Sequence, residues 1–370
     1  MVAEHLVAPP PYELVGVFVD ETILRLGSAC LQVLHRNAET PSDLFGGAGR
    51  VAAYDRCVVN VLITGSSGQV GTNLALALLE EGHVVRGVDK RVNPWTQVIE
   101  TDIVDLVAVG RGAKWDVGGF EPDCIVHLAA WAKVFDLVTN PGLALENVEM
   151  TFAALELART TGGTPVLLAS SREVYGDIEL VFTQEDAADH VVAESPYSAS
   201  KLASEALVHS YSRCYGVPCL VARLSNVYGR FDNDLDRLER VVPLFVRSIH
   251  DGRPIEVYGR EKILDFTYVD DCVAALLNGV VSLIDGKVLR DTVNISFGQG
   301  HSLFDLVRLI ELVLGKSAKA SFLPPRVGEI ARYVGDTSKA QELLGFTPQV
   351  PLPLGIRMYV DWCHEVGWIG

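Results

Sequence analysis

The chain has 370 residues, 49% hydrophobic and 21% charged, which suits about two domains with well-filled interiors and leaves little room for long disordered tracts. Its 31 Lys and Arg against 47 Asp and Glu give a formal net charge of −16. That balance repels phosphate backbones and anionic lipid, so it argues against nucleic acid or a membrane surface as a partner, but not against a small anion held at a helix N-terminus.

The cysteines Cys30, Cys57, Cys124, Cys214, Cys219, Cys272 and Cys363 form no C-x-x-C pair and have no metal-ligand spacing. Several sit in apolar runs, where a free thiol behaves as a small hydrophobe. A reducing, cytoplasmic compartment and no metal site are the expectation. The first sixteen residues lack the basic start and apolar core of a secretory signal, and no run reaches the roughly 18 apolar residues of a membrane span.

In chain order, residues 1–56 carry Pro9, Pro10 and Pro11, then FVDETILRLGSACLQVLHR, a pattern of strand turning into amphipathic helix, and a glycine-rich loop at 46–49. They read as an N-terminal extension with no legible chemistry. From Cys57 the character changes. CVVNVLIT is a β-branched apolar run of the kind a buried parallel strand needs, followed by a glycine-rich turn and helical spacing over 73–81. HVVRGVD, a weaker segment around 101–105, DCIVHLAA, TPVLLASS and PCLVARLS read as further strands, with helices over 143–160 and 197–215.

Strands alternating with helices predict an α/β fold with a doubly wound parallel sheet of the Rossmann type. Beyond residue 226 the regularity breaks into helices, including HSLFDLVRLIELVLG and one within RFDNDLDRLERVVPLFVRSIHDG, separated by short strands. The expected division is a sheet domain over 57–227, rejoined by 265–297, and a smaller mixed α/β domain over 228–370.

Gly65, Gly68 and Gly71, with Gln69 and Val70 between the last two, lie directly after a strand and before a helix. Such glycines permit a tight turn and let backbone N–H groups approach a pyrophosphate. Asp89 ends the next strand, near the ~20-residue offset of a carboxylate that hydrogen-bonds a ribose 2′-hydroxyl. A carboxylate there repels a 2′-phosphate, so NAD is expected over NADP, with Lys90 and Arg91 pulling the other way.

SPYSASKLASE places Tyr197 and Lys201 at i and i+4 on one helix face. A free tyrosine, with a pKa of about 10, is a poor base at neutral pH. A neighbouring ammonium and a cationic nicotinamide ring would favour the phenolate, which could then take a hydroxyl proton as hydride leaves the same carbon. Ser171, at the end of the strand in LASSREVYG, is placed to hydrogen-bond the reacting oxygen.

Together TGSSGQVG, HLAA, SSREVYG, PYSASK, RLSNVYG, DFTYVDD and RVGEIARYVGDTSKAQELLGF resemble the extended short-chain dehydrogenase/reductase family, in its nucleotide-sugar epimerase/dehydratase branch, to which UDP-galactose 4-epimerase belongs. The resemblance runs from Cys57 to the C-terminus. It implies that the first domain binds NAD and the second the substrate. Gly65, Gly68 and Gly71 would form the pyrophosphate loop, Asp89 the ribose ligand, Asp102 and Ile103 the adenine border, and Ala129 and Ala130 the cleft lining.

By the same resemblance Asn147 would support the active side, and Ser171, Tyr197 and Lys201 would be catalytic. Asn226 and Arg326 would hold the substrate diphosphate, and a homodimer would form through the helices at 143–160 and 197–215. One position departs from the pattern. Leu264 stands where many relatives carry an arginine for the diphosphate, with Arg260 and Lys262 as possible substitutes.

The resemblance also frames the reaction. Oxidation at C4 of the sugar is common to 4-epimerases, 4,6-dehydratases and UDP-glucuronate decarboxylases. Glu173 is shared with the dehydratases and decarboxylases, where many 4-epimerases have a small or hydroxyl residue. Arg172, however, stands where hexose dehydratases with a Thr-Asp-Glu motif place their acid, and a guanidinium is no practical proton donor. Arg172 facing a sugar carboxylate, Arg172 facing solvent and Arg172 pairing locally with Glu173 all remain open. The expectation is a 4-epimerase of a UDP-hexose or UDP-hexuronate, with a dehydratase or decarboxylase using Glu173 as the alternative. A regulator that senses nucleotides without turnover is a third reading, against which the retained Tyr–Lys pair speaks.

Overall fold

Strand β1 (Asn60–Thr64) carries four buried residues in a row, because a parallel strand with helices on both faces has no solvent side for polar alternation. The computed structural model describes residues 58–176, 193–232, 235, 240–326 and 329–370. The N-terminal extension, with its expected strand, helix and loop, lies outside them.

On one side of β1 lie β2 (Val84–Asp89) and β3 (Thr101–Ile103). On the other lie β4 (Cys124–His127), β5 (Val166–Ser171) and β6 (Cys219–Leu224). After β7 (Asn226–Tyr228), β8 (Pro254–Tyr258) and β9 (Ile263–Tyr268), the chain returns with β10 (Arg290–Ile295), which pairs with β6. The seven-stranded order is β10-β6-β5-β4-β1-β2-β3, with every pairing parallel. This is the doubly wound Rossmann sheet that the alternating pattern predicts.

The helices are α1 (Gln69–Glu80), α2 (Leu106–Gly110), α3 (Val134–Thr139), α4 (Gly142–Thr160), α5 (Pro196–Tyr215), α6 (Val241–His250), α7 (Val269–Ile284), α8 (Leu303–Leu314), α9 (Ser338–Leu344) and α10 (Leu352–Glu365). Successive strand residues feed opposite cores, as the period of two requires. Val61 and Ile63 pack with Leu74, Leu78 and Val280 on one face, while Leu62 packs with Ile125, Met150, Leu155 and Val208 on the other.

Two small sheets complete the chain. β7, β9 and β11 (Gly300–Ser302) form one, and β8 with β12 (Lys319–Leu323) the other. Because strand order reverses at β1, the C-terminal ends of β1 and β4 flank the crevice where open α/β sheets bind their ligands. Among the described residues, no helix is long and apolar enough to cross a membrane.

Candidate active site

The turn after β1 opens on Gly65, whose φ of +75° suits glycine alone among common residues. A Cβ there would stand 2.8 Å from the Ala129 nitrogen, and one on Gly71 would stand 2.8 Å from the Ser66 Cα. The loop is therefore folded as tightly as its backbone permits. Helix α1 starts at Gln69 with Gly68 as N-cap, no side chain capping it and no acid in its first turn. Its first N–H groups and the positive end of its dipole thus face the crevice, which fits a pyrophosphate. The Gln69 side chain turns away, donating to the Gly229 carbonyl at 2.6 Å and accepting from Arg240 at 3.0 Å. Val70 packs against the core.

Asp89 accepts the Ser67 N–H at 3.0 Å on one oxygen and the Arg91 N–H at 3.2 Å on the other, which fixes its carboxylate beside the loop. Beyond it the Lys90 Nζ lies 3.3 Å from the centre of the Trp131 ring. Asp102 pairs with Arg86 at 3.2 Å, and Ile103 is 57% exposed at the strand tip.

Across the crevice, the Ala129 nitrogen donates to Thr64 Oγ1 at 3.3 Å, and Ala130 is half-buried beside it. The Thr64 hydroxyl meets Nδ1 of buried His127 at 2.7 Å, whose Nε2 faces Thr151 Oγ1 at 3.3 Å. Burial holds the His127 pKa down to about 3, with the Lys201 charge acting in the same direction, so its ring is neutral.

Helix α5 begins with a capping box between Ser195 and Ser198 and with Pro196 at its first position, strong local reasons for it to start there. That start brings Tyr197 and Lys201 under the end of β5. Burial pushes the Tyr197 pKa up to about 12, although Ser171 lies close enough to favour the phenolate and opposes part of the rise. The Lys201 Nζ donates to the Ala169 carbonyl at 2.8 Å, and burial lowers its pKa to about 8. Asn147 of α4 donates to Ser200 Oγ at 3.0 Å, and Ser200 donates to the Tyr197 carbonyl at 2.7 Å. The Asn147 side chain also closes both backbone groups of Trp131, so it ties the crevice wall to the tyrosine helix.

Ser171 caps a single 3-10 turn, Arg172–Tyr175, by accepting the Glu173 N–H at 3.2 Å. Arg172 Nη2 pairs with Glu173 Oε1 at 2.8 Å, so of the placements open to Arg172 the local pair is present. Ser171, Arg172, Glu173, Tyr197 and Lys201 are thus brought together.

Asn226 instead donates to the Asp265 carbonyl at 2.9 Å, on the β7–β9 seam. Arg326 is exposed, stacked 3.9 Å from the Tyr258 ring centre and 5.7 Å from that of Phe135. Leu264 is buried in the apolar core. Of its possible substitutes, Lys262 pairs with Glu329 at 2.7 Å and Arg260 lies over the rings of Phe304 and Phe322, so both cations are already engaged.

Motif reading passed over a buried group next to the site. Arg223 of β6 grips Glu205 of α5 through two hydrogen bonds, 3.1 Å and 2.7 Å, and Ser170 donates to the same carboxylate. The signal was present, since Tyr197, Lys201 and Glu205 recur at i, i+4 and i+8 on one helix face. Among the described residues no group of three or more His, Cys, Asp or Glu is arranged to hold a metal ion.

An uncapped helix end after β1, with Ser171 and the buried Tyr197 and Lys201 gathered at the C-terminal end of β5 in the same Rossmann sheet, defines a dinucleotide-dependent enzyme of the short-chain dehydrogenase/reductase type. The chain belongs to the NAD dependent epimerase/dehydratase family, whose model matches residues 61–293, and it is an NAD-dependent enzyme. It is 30% identical to the probable UDP-glucuronate 4-epimerase of Rhizobium meliloti, over 82% of this chain and 96% of that one. It is 33% identical to UDP-glucuronic acid decarboxylase 1 of Xenopus tropicalis, over 82% and 72%. Its structure superposes on the UDP-glucose 4-epimerase of Thermotoga maritima, solved with UDP-glucose, with a TM-score of 0.74, 27% identity and coverage of 83% and 99%.

Proposed function

We propose that this enzyme is a nucleotide-sugar 4-epimerase acting on a UDP-hexose or UDP-hexuronate through a transient 4-keto sugar. The observation that carries the reading is the buried Tyr197 phenol set near Ser171 at the end of β5, one helical turn before Lys201, whose Nζ is anchored on the Ala169 carbonyl. Gly65, Gly68 and Gly71 with the N–H groups of Gln69 and Val70 would hold the NAD pyrophosphate, and Asp89 its adenosine ribose. Asp102 and Ile103 would border the adenine, and Ala129, Ala130 and Asn147 would line the nicotinamide side. Oxidised NAD held there would supply the hydride acceptor for C4 and a cationic ring that favours the Tyr197 phenolate.

Tyr197 then removes the C4 hydroxyl proton, and the charge beside it offsets the burial that otherwise keeps the phenol neutral. Ser171 bridges the reacting oxygen, and Lys201 supports the phenolate from below. Asn226 and Arg326 hold the diphosphate while the keto sugar turns and is reduced on its other face, with Arg326 supplying a planar guanidinium fork. The sheet domain, 57–227 with 265–297, carries the cofactor, and 228–370 the sugar nucleotide.

Exposed Leu145 and Phe152, one heptad apart on α4, with Tyr215 at the end of α5, support a homodimer through those helices. The unpaired thiols of Cys124, Cys214, Cys219, Cys272 and Cys363 support a cytoplasmic setting.

A second reading, dehydratase or decarboxylase, draws support from Glu173 Oε2, which is buried without a hydrogen-bond partner among the described residues and is available as a base. Incubation with UDP-, dTDP- and GDP-sugars, followed by mass spectrometry and ring-proton NMR, separates the readings. An isomer of unchanged mass is expected. Loss of water, or of carbon dioxide from a uronate, would establish the second reading in its place.

A further inference from the structure

Lys90 and Trp131 meet across a strand to which neither belongs. Lys90 follows directly on Asp89 at the C-terminal end of β2, and Trp131 lies four residues past His127, which ends β4. In the sheet β1 runs between these two strands and pairs in parallel with both. All three therefore end at the same edge, and β2 stands two strand spacings, about 10 Å, from β4. The Lys90 Nζ closes that gap, 3.3 Å from the centre of the Trp131 ring.

The contact crosses the glycine loop. The residues on either side of Lys90 hold that loop, because Asp89 accepts the Ser67 N–H at 3.0 Å and the Arg91 carbonyl accepts the Ser67 hydroxyl at 2.9 Å. On the far side, a Cβ on Gly65 would stand 2.8 Å from the nitrogen of Ala129, two residues before Trp131. Lys90, Asp89, Ser67, Gly65, Ala129 and Trp131 thus form a closed circuit over the end of β1. Ser66 and Ser67 are fully buried while Lys90 is exposed, so the Lys90–Trp131 link lies on the solvent side of the loop. The indole is braced for it. Its Nε1 donates to Glu146 Oε2 at 2.6 Å, and Asn147 holds both backbone groups of Trp131.

We propose that Lys90 and Trp131 form a strap across the adenosine half of bound NAD and slow its escape. This rests on the reading that puts the adenosine ribose on Asp89, the residue next to Lys90. A dinucleotide seated on Asp89 and the glycine loop passes beneath the link and leaves only when the link opens. An ammonium facing an indole is worth from about twofold when exposed to about thirtyfold when desolvated, and the dissociation rate carries that factor.

The test is exchange of bound NAD for isotopically labelled NAD in the full-length protein, read by mass spectrometry of the protein-bound fraction after rapid desalting. Lys90→Met and Trp131→Leu are each expected to speed exchange at least about fivefold. The double variant should be no faster than the faster single, because either change alone opens the strap. Lys90→Arg keeps a cation over the ring and should stay within about twofold of wild type. Lys90 is exposed, so its variants carry the test even where Trp131→Leu melts lower.

Exchange unchanged in both single variants would overturn the strap. So would rates that multiply in the double variant, since the two side chains would then act on NAD separately. Preference for NAD over NADP is measured alongside, and Asp89→Ala should lose it. If that loss appears while the strap variants exchange like wild type, the strap alone is overturned. If Asp89→Ala keeps the preference as well, the adenosine placement falls with it.

Discussion

Lys201 is bound to the carbonyl of Ala169 at 2.8 Å, two residues before Ser171 on β5, while its Nζ lies 6.0 Å from the centre of the Tyr197 ring. The ammonium is anchored to the strand that carries the serine. Burial, only partly offset by the Glu205 charge, lowers its pKa from 10.5 to about 8. Between pH 8 and 10.5 the unfolded chain therefore binds a proton that the folded chain does not. Stability gains from Lys201 as pH rises through that window and loses the gain as pH falls through 8.

The buried thiols of Cys124 and Cys272, raised to about 12, and the Tyr197 phenol act in the opposite sense as pH rises above their unfolded values. The Lys201 contribution is thus read as a difference. The stability of wild type minus that of Lys201→Met should rise by about 3 kcal/mol from pH 8 to 10.5 in urea titrations of the NAD-free protein. A difference flat across that range would mean that Lys201 keeps an ordinary pKa.

Gly71 sits where the first turn of α1 crosses the loop that began at Gly65. A Cβ there meets the Gly65 carbonyl oxygen well inside contact distance and the Ser66 Cα at 2.8 Å. Both neighbours are backbone, so neither can swing aside as a side-chain tip would. Gly71→Ala is expected to cost about 1–3 kcal/mol and to spread the loop that faces the pyrophosphate. The protein should melt lower and purify with less bound NAD. Gly142→Ala is the control, since its Cβ meets only the Asn140 Oδ1 at 3.4 Å. If both variants kept wild-type NAD content, the loop would be looser than its geometry states.

Legibility in the sequence followed the range of the interaction. Strands β1, β2, β4, β5 and β6 of the large sheet were visible because a buried parallel strand is a local apolar run, whereas β10, with Arg290, Asp291 and Thr292 in its first half, carries no such run. The glycine loop and the Tyr197–Lys201 pair were visible because a turn and an i, i+4 spacing are also local. The small sheets were not, since β7 pairs with β9 about 40 residues away and β12 with β8 about 65 away, in strands of three to six residues. Arg326 could be named from its motif, but its stacking on Tyr258 depends on that distant pairing. Arg223, a cation inside the apolar run PCLVARLS, marked a buried partner without saying which.

That partner, Glu205, sits one turn beyond Lys201, and the pair is nearly closed to water, with side chains 6% and 7% exposed. Arg223 also lies 4.8 Å from the centre of the Tyr175 ring, and the Tyr175 hydroxyl donates to Asn294 on β10 at 2.7 Å. The pair thus joins α5, β6 and, through Tyr175, β10. Glu205→Leu leaves a buried guanidinium without its carboxylate and should cost about 3–5 kcal/mol. The double variant Glu205→Leu with Arg223→Met removes both charges at similar volume, and should recover most of that loss. The check is a double-mutant cycle in urea, with NAD content measured alongside. A coupling of at least about 2 kcal/mol is expected. If the double variant is as unstable as the sum of the singles, the charges do not depend on each other, and the site beneath Tyr197 is held by packing rather than by this ion pair.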